Sequence, residues 1–181
     1  MTMEENEFDG EVWDTGEAKA IAMEMQFMPA ALVSSGDNMM AAAWLSQVSV
    51  DPPLFMVSLR KERYTYEKVQ ETGEIAINMM PIEHADKVHF CGTRSGRKVD
   101  KFAETGLTRR KPVMTSSVLV EQAIAIYECR VVNEVEAGDH QLIVAEVVFV
   151  HRKKGVDLTD VRPALYVGSG YYTTVMRPYK F

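Results

Sequence analysis

Two basic stretches stand out in an acidic chain, and both carry residue types that bind anions. Arg60-Lys61-Glu62-Arg63 directly follows the apolar run Leu54–Leu59. Cys91-Gly92-Thr93-Arg94-Ser95-Gly96-Arg97-Lys98-Val99-Asp100-Lys101 sets four cations, two glycines and two hydroxyls before and inside a predicted helix start. Such a start offers unpaired N–H groups and a partial positive charge, and arginine adds bidentate contacts to phosphate oxygens. The spacing predicts a phosphate-binding loop at residues 92–97, with a solvated basic loop as the alternative reading. Arg109-Arg110-Lys111 and Arg152-Lys153-Lys154 are basic too and read as surface. The chain has no GxGxxG, Walker, GxSxG or HExxH motif. His84, His89, His140 and His151 are far apart without a paired carboxylate motif and read as surface or core residues. Cys91 and Cys129 are too few for a disulfide framework and lack metal-site spacing. No catalytic residue and no metal ligand is assigned.

The elements that must position these residues are mostly strands. Ala30–Ser35 is a short apolar run, and Gly36-Asp37-Asn38 is turn chemistry. From Met39 the chain reads as extended to Val50, where Asp51-Pro52-Pro53 breaks it. Leu54–Leu59 and Glu74–Asn78 are predicted strands. A long hairpin is predicted from Ala123–Glu136 and Gln141–His151, with Ala137-Gly138-Asp139-His140 as its turn. The period of two puts Ala125, Tyr127, Cys129 and Val131 on one face and Glu128, Arg130 and Glu134 on the other. Leu165–Val175 reads as a last strand. Short helices are predicted over Tyr66–Thr72 with Thr65 as cap and Gly73 as stop, and over Glu83–Phe90. A third is predicted from Ser95 or Gly96 to Glu104, with Val99, Phe102 and Ala103 inward. Many strands with a few inserted helices argue for a barrel or sandwich over alternating βαβ units.

The 181 residues suit one domain, expected over residues 15–181 after a mobile acidic arm at residues 1–14. Lys and Arg number 20 against 26 Asp and Glu, a net charge of −6 that argues against a general nucleic-acid binder. No apolar run approaches the ~18 residues of a membrane span, and no signal-peptide pattern opens the chain, so a cytoplasmic protein is expected. Twelve methionines are many for this length and read as adaptable core packing.

Several spaced motifs, in order, carry a resemblance. They are Asn38-Met39, Trp44-Leu45-Ser46-Gln47-Val48-Ser49-Val50-Asp51-Pro52-Pro53, Ser58-Leu59-Arg60-Lys61-Glu62-Arg63-Tyr64-Thr65 and Glu71-Thr72-Gly73-Glu74. Residues 91–97 with Asp100-Lys101-Phe102, and Glu136-Ala137-Gly138-Asp139-His140, continue the series. Over residues 20–170 the chain resembles the flavin reductase-like, FMN-binding split-barrel family, in its flavoredoxin and archaeal ferric-reductase branch. The resemblance implies a mainly β fold, a six-stranded antiparallel Greek-key split barrel with a few short helices. It further implies a homodimer with one FMN per subunit near the interface.

On the same resemblance, Asn38, Met39, Met40, Ala41, Ala42, Ala43, Trp44 and Ser46 would lie along the isoalloxazine, main-chain groups meeting its polar edge. The family commonly has hydroxyl residues after the Asn-Met pair, whereas this chain has three alanines, so ring recognition would rest on the backbone. Ser58, Arg60, Arg63 and Thr65 match a phosphate-side segment. Gly92, Thr93, Ser95, Gly96, Arg97 and Lys101 match a second phosphate or ribityl loop. From the residues alone, Trp44 is equally a core aromatic and Asn38 a turn residue with positive φ. The implied activity is hydride transfer from NAD(P)H to flavin N5, followed by passage of electrons to free flavin or a ferric chelate. A non-enzymatic carrier fed by a redox protein, and a binding module for another phosphate ligand, are the rivals. The small side chains of Ala41, Ala42 and Ala43 are expected to leave one flavin face open to NAD(P)H, while the aromatics of Tyr171–Tyr179 work against this if they fold over the flavin.

Overall fold

A two-residue link determines the architecture. In this computed structural model, residues 26–157 and 159–176 are described; the expected arm at residues 1–14 and the last residues of the C-terminal stretch lie outside them. The strands β1 (Met28–Pro29), β2 (Ala31–Ser35), β3 (Asn38–Ala42), β4 (Leu45–Ser49), β5 (Leu54–Leu59), β6 (Glu74–Met79), β7 (Arg109–Arg110) and β8 (Leu119–Val120) come first. The long pair β9 (Ala125–Ala137) and β10 (His140–Arg152) follows, then β11 (Leu165–Gly168) and β12 (Tyr171–Thr173). Seven of them form one antiparallel sheet in the order β3-β2-β6-β9-β10-β5-β4. Its two edges, β3 and β4, are joined by Ala43 and Trp44 alone. A flat seven-stranded sheet would be ~29 Å across at ~4.8 Å per spacing, whereas the three steps from Ala42 to Leu45 reach at most ~11 Å. The sheet must therefore curl until its edges meet. Ser58 N–H donates to Trp44 C=O (2.9 Å) and Leu45 N–H to Ala43 C=O (3.0 Å) at that seam.

This is the mainly β split barrel, with seven strands in place of six. The expected run Met39–Val50 is two strands on opposite edges, interrupted at Ala43-Trp44. Both faces of the sheet are covered. Val33, Val57, Leu59, Ile75, Ile77 and Ile143 fill the concave side. Leu32, Met39, Ala76, Met80 and Leu119 pack on the other side with Val88 and Phe102 from two of the helices, while Val69 of the remaining helix joins the first cluster. β2 is buried at every position for that reason, which is why its sequence is a continuous run and not an alternation.

Helix α1 (Tyr64–Thr72) ends at Gly73, whose φ of 64° is the left-handed stop expected there. Its cap is Arg63 and not Thr65. Thr65 is buried in the first turn, where its hydroxyl accepts from Asn38 Nδ2 at 2.8 Å. A 3₁₀ turn, Ile82–His84, leads into α2 (Ala85–Thr93). The helix predicted from Ser95 or Gly96 is only α3 (Lys101–Thr105). Asp100 is the residue that caps it, its carboxylate accepting from Phe102 N–H (3.0 Å) and Ala103 N–H (3.3 Å). Ala103 is exposed, and Lys101 turns inward with Phe102 instead. Residues 94–100 are loop, so the phosphate-binding capacity expected of a helix start has to come from the loop's side chains.

The β9–β10 hairpin turns at Gly138-Asp139. Glu128, expected on a polar face, is fully buried. It accepts from the N–H groups of Val113 (2.9 Å), Met114 (2.8 Å) and Thr115 (2.8 Å), from the Thr115 hydroxyl (2.9 Å), and meets His151 Nε2 at 2.6 Å. Burial alone would raise its pKa, but these hydrogen bonds, His151 foremost, outweigh it and bring the carboxyl down to about 2. The predicted strand Leu165–Val175 is a hairpin, β11 with β12, and β1 pairs on its other side.

Candidate functional site

β3 is an edge strand, bonded within the sheet only to β2. Lys101 Nζ donates to Met39 C=O at 2.7 Å, so the Met39 carbonyl points away from β2. By the period of two, the N–H and C=O of Ala41 face the same way. Ala41 thus keeps a peptide edge without a sheet partner, beside the small side chains of Ala42 and Ala43.

Three adjoining cavities run along that edge. The polar end, about 200 Å³, is lined by Arg63, Thr93, Arg94, Ser95 and Arg97 among others. The middle, about 410 Å³, is lined by Met40, Ala41–Ala43, Trp44, Ser58, Arg60 and His140. The apolar end, about 210 Å³, is lined by Ala41–Ala43, Val88, His89, Tyr166 and Tyr172. Met40 and Arg63 belong to the first two, Ala41–Ala43 and Tyr166 to the last two, and Gly92 and Thr93 to the first and last, so the three cavities adjoin one another as one channel around β3. Its volume falls in the ~300–1,000 Å³ range of small-molecule sites.

The tertiary fold thus brings together the residues expected along a ligand, with two exceptions. The Met39 side chain is fully buried in the core and lines none of these cavities. Ser46 is exposed on β4, its hydroxyl donating to Gln47 C=O, and lines none of these cavities. The α2–β3 approach depends on small residues. A Cβ on Gly92 would stand 3.1 Å from Ala41 Cβ, and a Cβ on Gly96 would stand 2.0 Å from Asn38 Oδ1. Asn38 is buried and pinned to Thr65, and its φ is not positive, so it acts as a brace between β3 and α1 and not as a turn residue. Lys101, also buried, spends two donors on Met39 C=O and Cys91 C=O (2.8 Å). Burial lowers its pKa, and the repulsion of Arg63 adds to that against the attraction of Cys91. Burial likewise pushes the Cys91 thiol up to about 11, which makes it a packing residue.

The arginines differ in their readiness to bind an anion. Arg63 is exposed and has no ion-pair partner among the described residues. Arg97 pairs with Glu67 and lies over the Tyr64 ring, 4.9 Å from its centroid. Arg60 is held by Asp139 at 3.0 Å. Asp139 also meets His140 at 2.6 Å, and that hydrogen bond, more than Arg60, keeps its carboxyl below the usual range. Trp44 is half-buried against His140, with ring centroids 4.6 Å apart, and faces the channel from the seam.

Sequence reasoning missed His89, His140, Tyr64 and Tyr166. His140 lies in a quoted motif and could have been found from it. Tyr166 has no local signal, because it reaches the channel only when β11 folds back on the sheet. Of the C-terminal aromatics, Tyr172 lines the apolar end, 6.0 Å from His89 and edge-on to it, while Tyr171 is exposed. Tyr179 lies outside the described residues. Among the described residues no cluster is arranged to hold a metal ion, and no helix is long and apolar enough to cross a membrane.

Residues 26–174 match the flavin reductase like domain family. The fold is similar to that of flavoredoxin of Desulfovibrio vulgaris (Miyazaki F), with a TM-score of 0.80, 26% identity, and 87% of this chain and 92% of that one covered. It is similar also to an FMN-binding protein from Thermus thermophilus solved with bound p-hydroxybenzaldehyde, with a TM-score of 0.77, 26% identity and 99% of each chain covered. In sequence, a ferric-chelate reductase (NAD(P)H) of Archaeoglobus fulgidus is 32% identical over 103 residues, 56% of this chain and 60% of that protein. Alignments with other curated relatives span 51%, 64% and 63% of those proteins' lengths.

Proposed function

The chain belongs to the flavin reductase-like domain family, and from that premise we propose that it is a cytoplasmic, homodimeric FMN protein acting as an NAD(P)H-dependent flavin or ferric reductase. The observation that carries this reading is the single channel along β3, cationic at one end and apolar at the other. That polarity fits an amphipathic phosphate ester with a flat ring. Arg63, Arg97, Thr93 and Ser95 would hold the phosphate, with charge-assisted bonds from the arginines. Asn38–Trp44 would line the ring, the free peptide edge of Ala41 supplying a donor and an acceptor where the family's hydroxyl side chains are missing. FMN, when bound, supplies hydride acceptance and one-electron release. The chain's contribution is to bind and orient it and to leave one face accessible, which Ala41, Ala42 and Ala43 favour by their small size. No side chain is required as acid or base.

One observation favours a second reading, an electron carrier fed by a redox protein. Tyr166 and Tyr172, with ring centroids 5.3 Å apart, wall the apolar end beside His89 and narrow the access a nicotinamide would need. Anaerobic stopped-flow mixing of the FMN-loaded protein with excess NADH or NADPH distinguishes the two. Bleaching by either is the expected result. Flavin left oxidised by both, yet bleached by dithionite, refutes the reductase reading and supports the carrier. A colourless protein that does not bind FMN refutes both.

A further inference from the structure

Another cavity, about 340 Å³, lies beside the polar end of the channel and has no part in the reading above. Gly96 packs so closely on buried Asn38 that a Cβ would stand 2.0 Å from Asn38 Oδ1, and this contact is a closed wall between the two compartments. Tyr64, Arg97 and Lys101 line both sides of it. Whatever fills this compartment is therefore a separate molecule from the one in the channel. Its volume lies within the ~300–1,000 Å³ range of small-molecule pockets.

In a chain of net charge −6, four cations (Arg97, Lys98, Lys101 and Arg109) line this one compartment. Lys101 is the decisive one. It is 5% exposed, and its ammonium donates to the carbonyls of Met39 and Cys91 with no carboxylate partner among the described residues. A buried cation is costly unless an anion offsets it. Cys91 does not supply that charge, because burial pushes its thiol up to about 11. An ammonium has three donors, so one is left over. Lys98 is exposed and likewise has no side-chain partner among the described residues. Arg97 is paired with Glu67, and Arg109 with Asp100, whose carboxylate also caps α3. Lys98 and Lys101 are left facing Asp37 alone, and Asp37 is exposed to solvent.

We propose that this compartment is a second anion site, which takes a free inorganic phosphate or diphosphate and loosens FMN when it is filled. Lys98 and Lys101 hold the anion from two sides, and it supplies the counter-charge that Lys101 lacks. The site stands on the cavity and its charges, whereas its effect on FMN rests on the reading of the polar end as the place of the flavin phosphate. Arg97 and Lys101 face both compartments, so an anion on one side of the wall draws on cations that the other side uses, and the two anions repel. By linkage the effect is reciprocal, FMN loosening the free anion by the same factor.

The test titrates pyrophosphate by calorimetry into the FMN-saturated full chain, its polar end already filled, at constant ionic strength. Saturable binding is expected. Lys98→Glu should weaken it roughly tenfold or more, the scale of one charge-assisted hydrogen bond. Lys61→Glu, an exposed cation that does not line this compartment, should weaken it less than about threefold. No saturable heat, or equal weakening by both variants, overturns the inference. FMN titrated at rising pyrophosphate should lose affinity to a plateau of roughly fivefold or more. Loss without a plateau means direct displacement from the polar end, and an unchanged FMN affinity means no coupling; either overturns the inference and leaves the FMN reading standing. A chain that binds pyrophosphate with this dependence on Lys98 but does not bind FMN refutes the flavin reading and leaves the anion site standing. Both substituted residues are exposed, and thermal melts confirm that the variants keep the fold.

Discussion

The ion pair between Arg97 and Glu67 makes a prediction that a simple basic loop would not. Both side chains are 48% exposed, so the pair is worth ~0.2–1 kcal/mol. A phosphate in the polar end of the channel offers Arg97 a charge-assisted bond of ~1.5–3 kcal/mol, so the phosphate wins the competition and Glu67 is displaced on binding. Glu67→Gln removes the competitor in advance. It should therefore tighten FMN by roughly 1.4- to 5-fold, with the gain shrinking as salt screens the pair. Arg63 has no pair to give up, and Arg63→Ala should cost the full roughly 10- to 150-fold. Arg97→Ala should cost less, because the variant has no ion pair to break. Fluorescence titration of the deflavinated chain at low and high salt measures all of these, with riboflavin as the phosphate-free control that should respond to none. The decisive arm is the double variant. If Glu67→Gln tightens FMN equally in an Arg97→Ala background, the effect is a diffuse field and Glu67 does not compete with the phosphate for Arg97; if it weakens FMN, Glu67 is no competitor at all.

Gly96→Ala should drive a Cβ into Asn38 Oδ1, 2.0 Å away on a buried side chain pinned to Thr65, at ~1–3 kcal/mol. Calorimetry should show a melting temperature lower by roughly 2–12 °C, substantially recovered when Asn38→Ala is added; no change in the single variant refutes the close approach. Glu128 is depressed from 4.5 to about 2, so its contribution is fully present above pH 4.5 and is lost as pH falls toward 2. That difference corresponds to ~3 kcal/mol; melting curves from pH 6 to 2 should fall more steeply for the parent than for Glu128→Gln, and parallel curves would assign the acid lability to other groups. Tyr172→Ala should widen the apolar end and speed NADH reduction of bound FMN in stopped-flow, and an unchanged rate would show that Tyr172 does not limit access. Light scattering of the FMN-loaded protein at micromolar concentration should give a dimer, with an interface above ~1,000 Å² in total; an FMN-bound monomer refutes it.

Much of the fold was legible because strands β2, β5 and β6 are short apolar runs bounded by Gly36, by Pro52-Pro53 and by Gly73, signals that act locally. The helix stop at Gly73 was equally local, since a left-handed residue costs glycine little. The two basic stretches were also legible, because cations in an acidic chain are conspicuous whatever the fold. What failed were readings in which one residue had two competing roles. Thr65 suits a cap, but the buried amide of Asn38 uses its hydroxyl instead. Glu128 fits the polar face of a strand by period, yet three backbone donors of a distant loop and His151 make burial favourable. Ser95 can start a helix, but Asp100 binds the N–H groups first. Only the tertiary structure decided that residues 39–50 change edges of the sheet at Ala43-Trp44, because nothing in an extended run records which strand it will pair with. Only it decided that Tyr166 and His89, far apart in sequence, share a wall with three alanines. Residue type and local spacing determined which groups this chain has for holding an anion and a flat ring; curling of the sheet, a consequence of long-range pairing, determined that they face one another across a single channel.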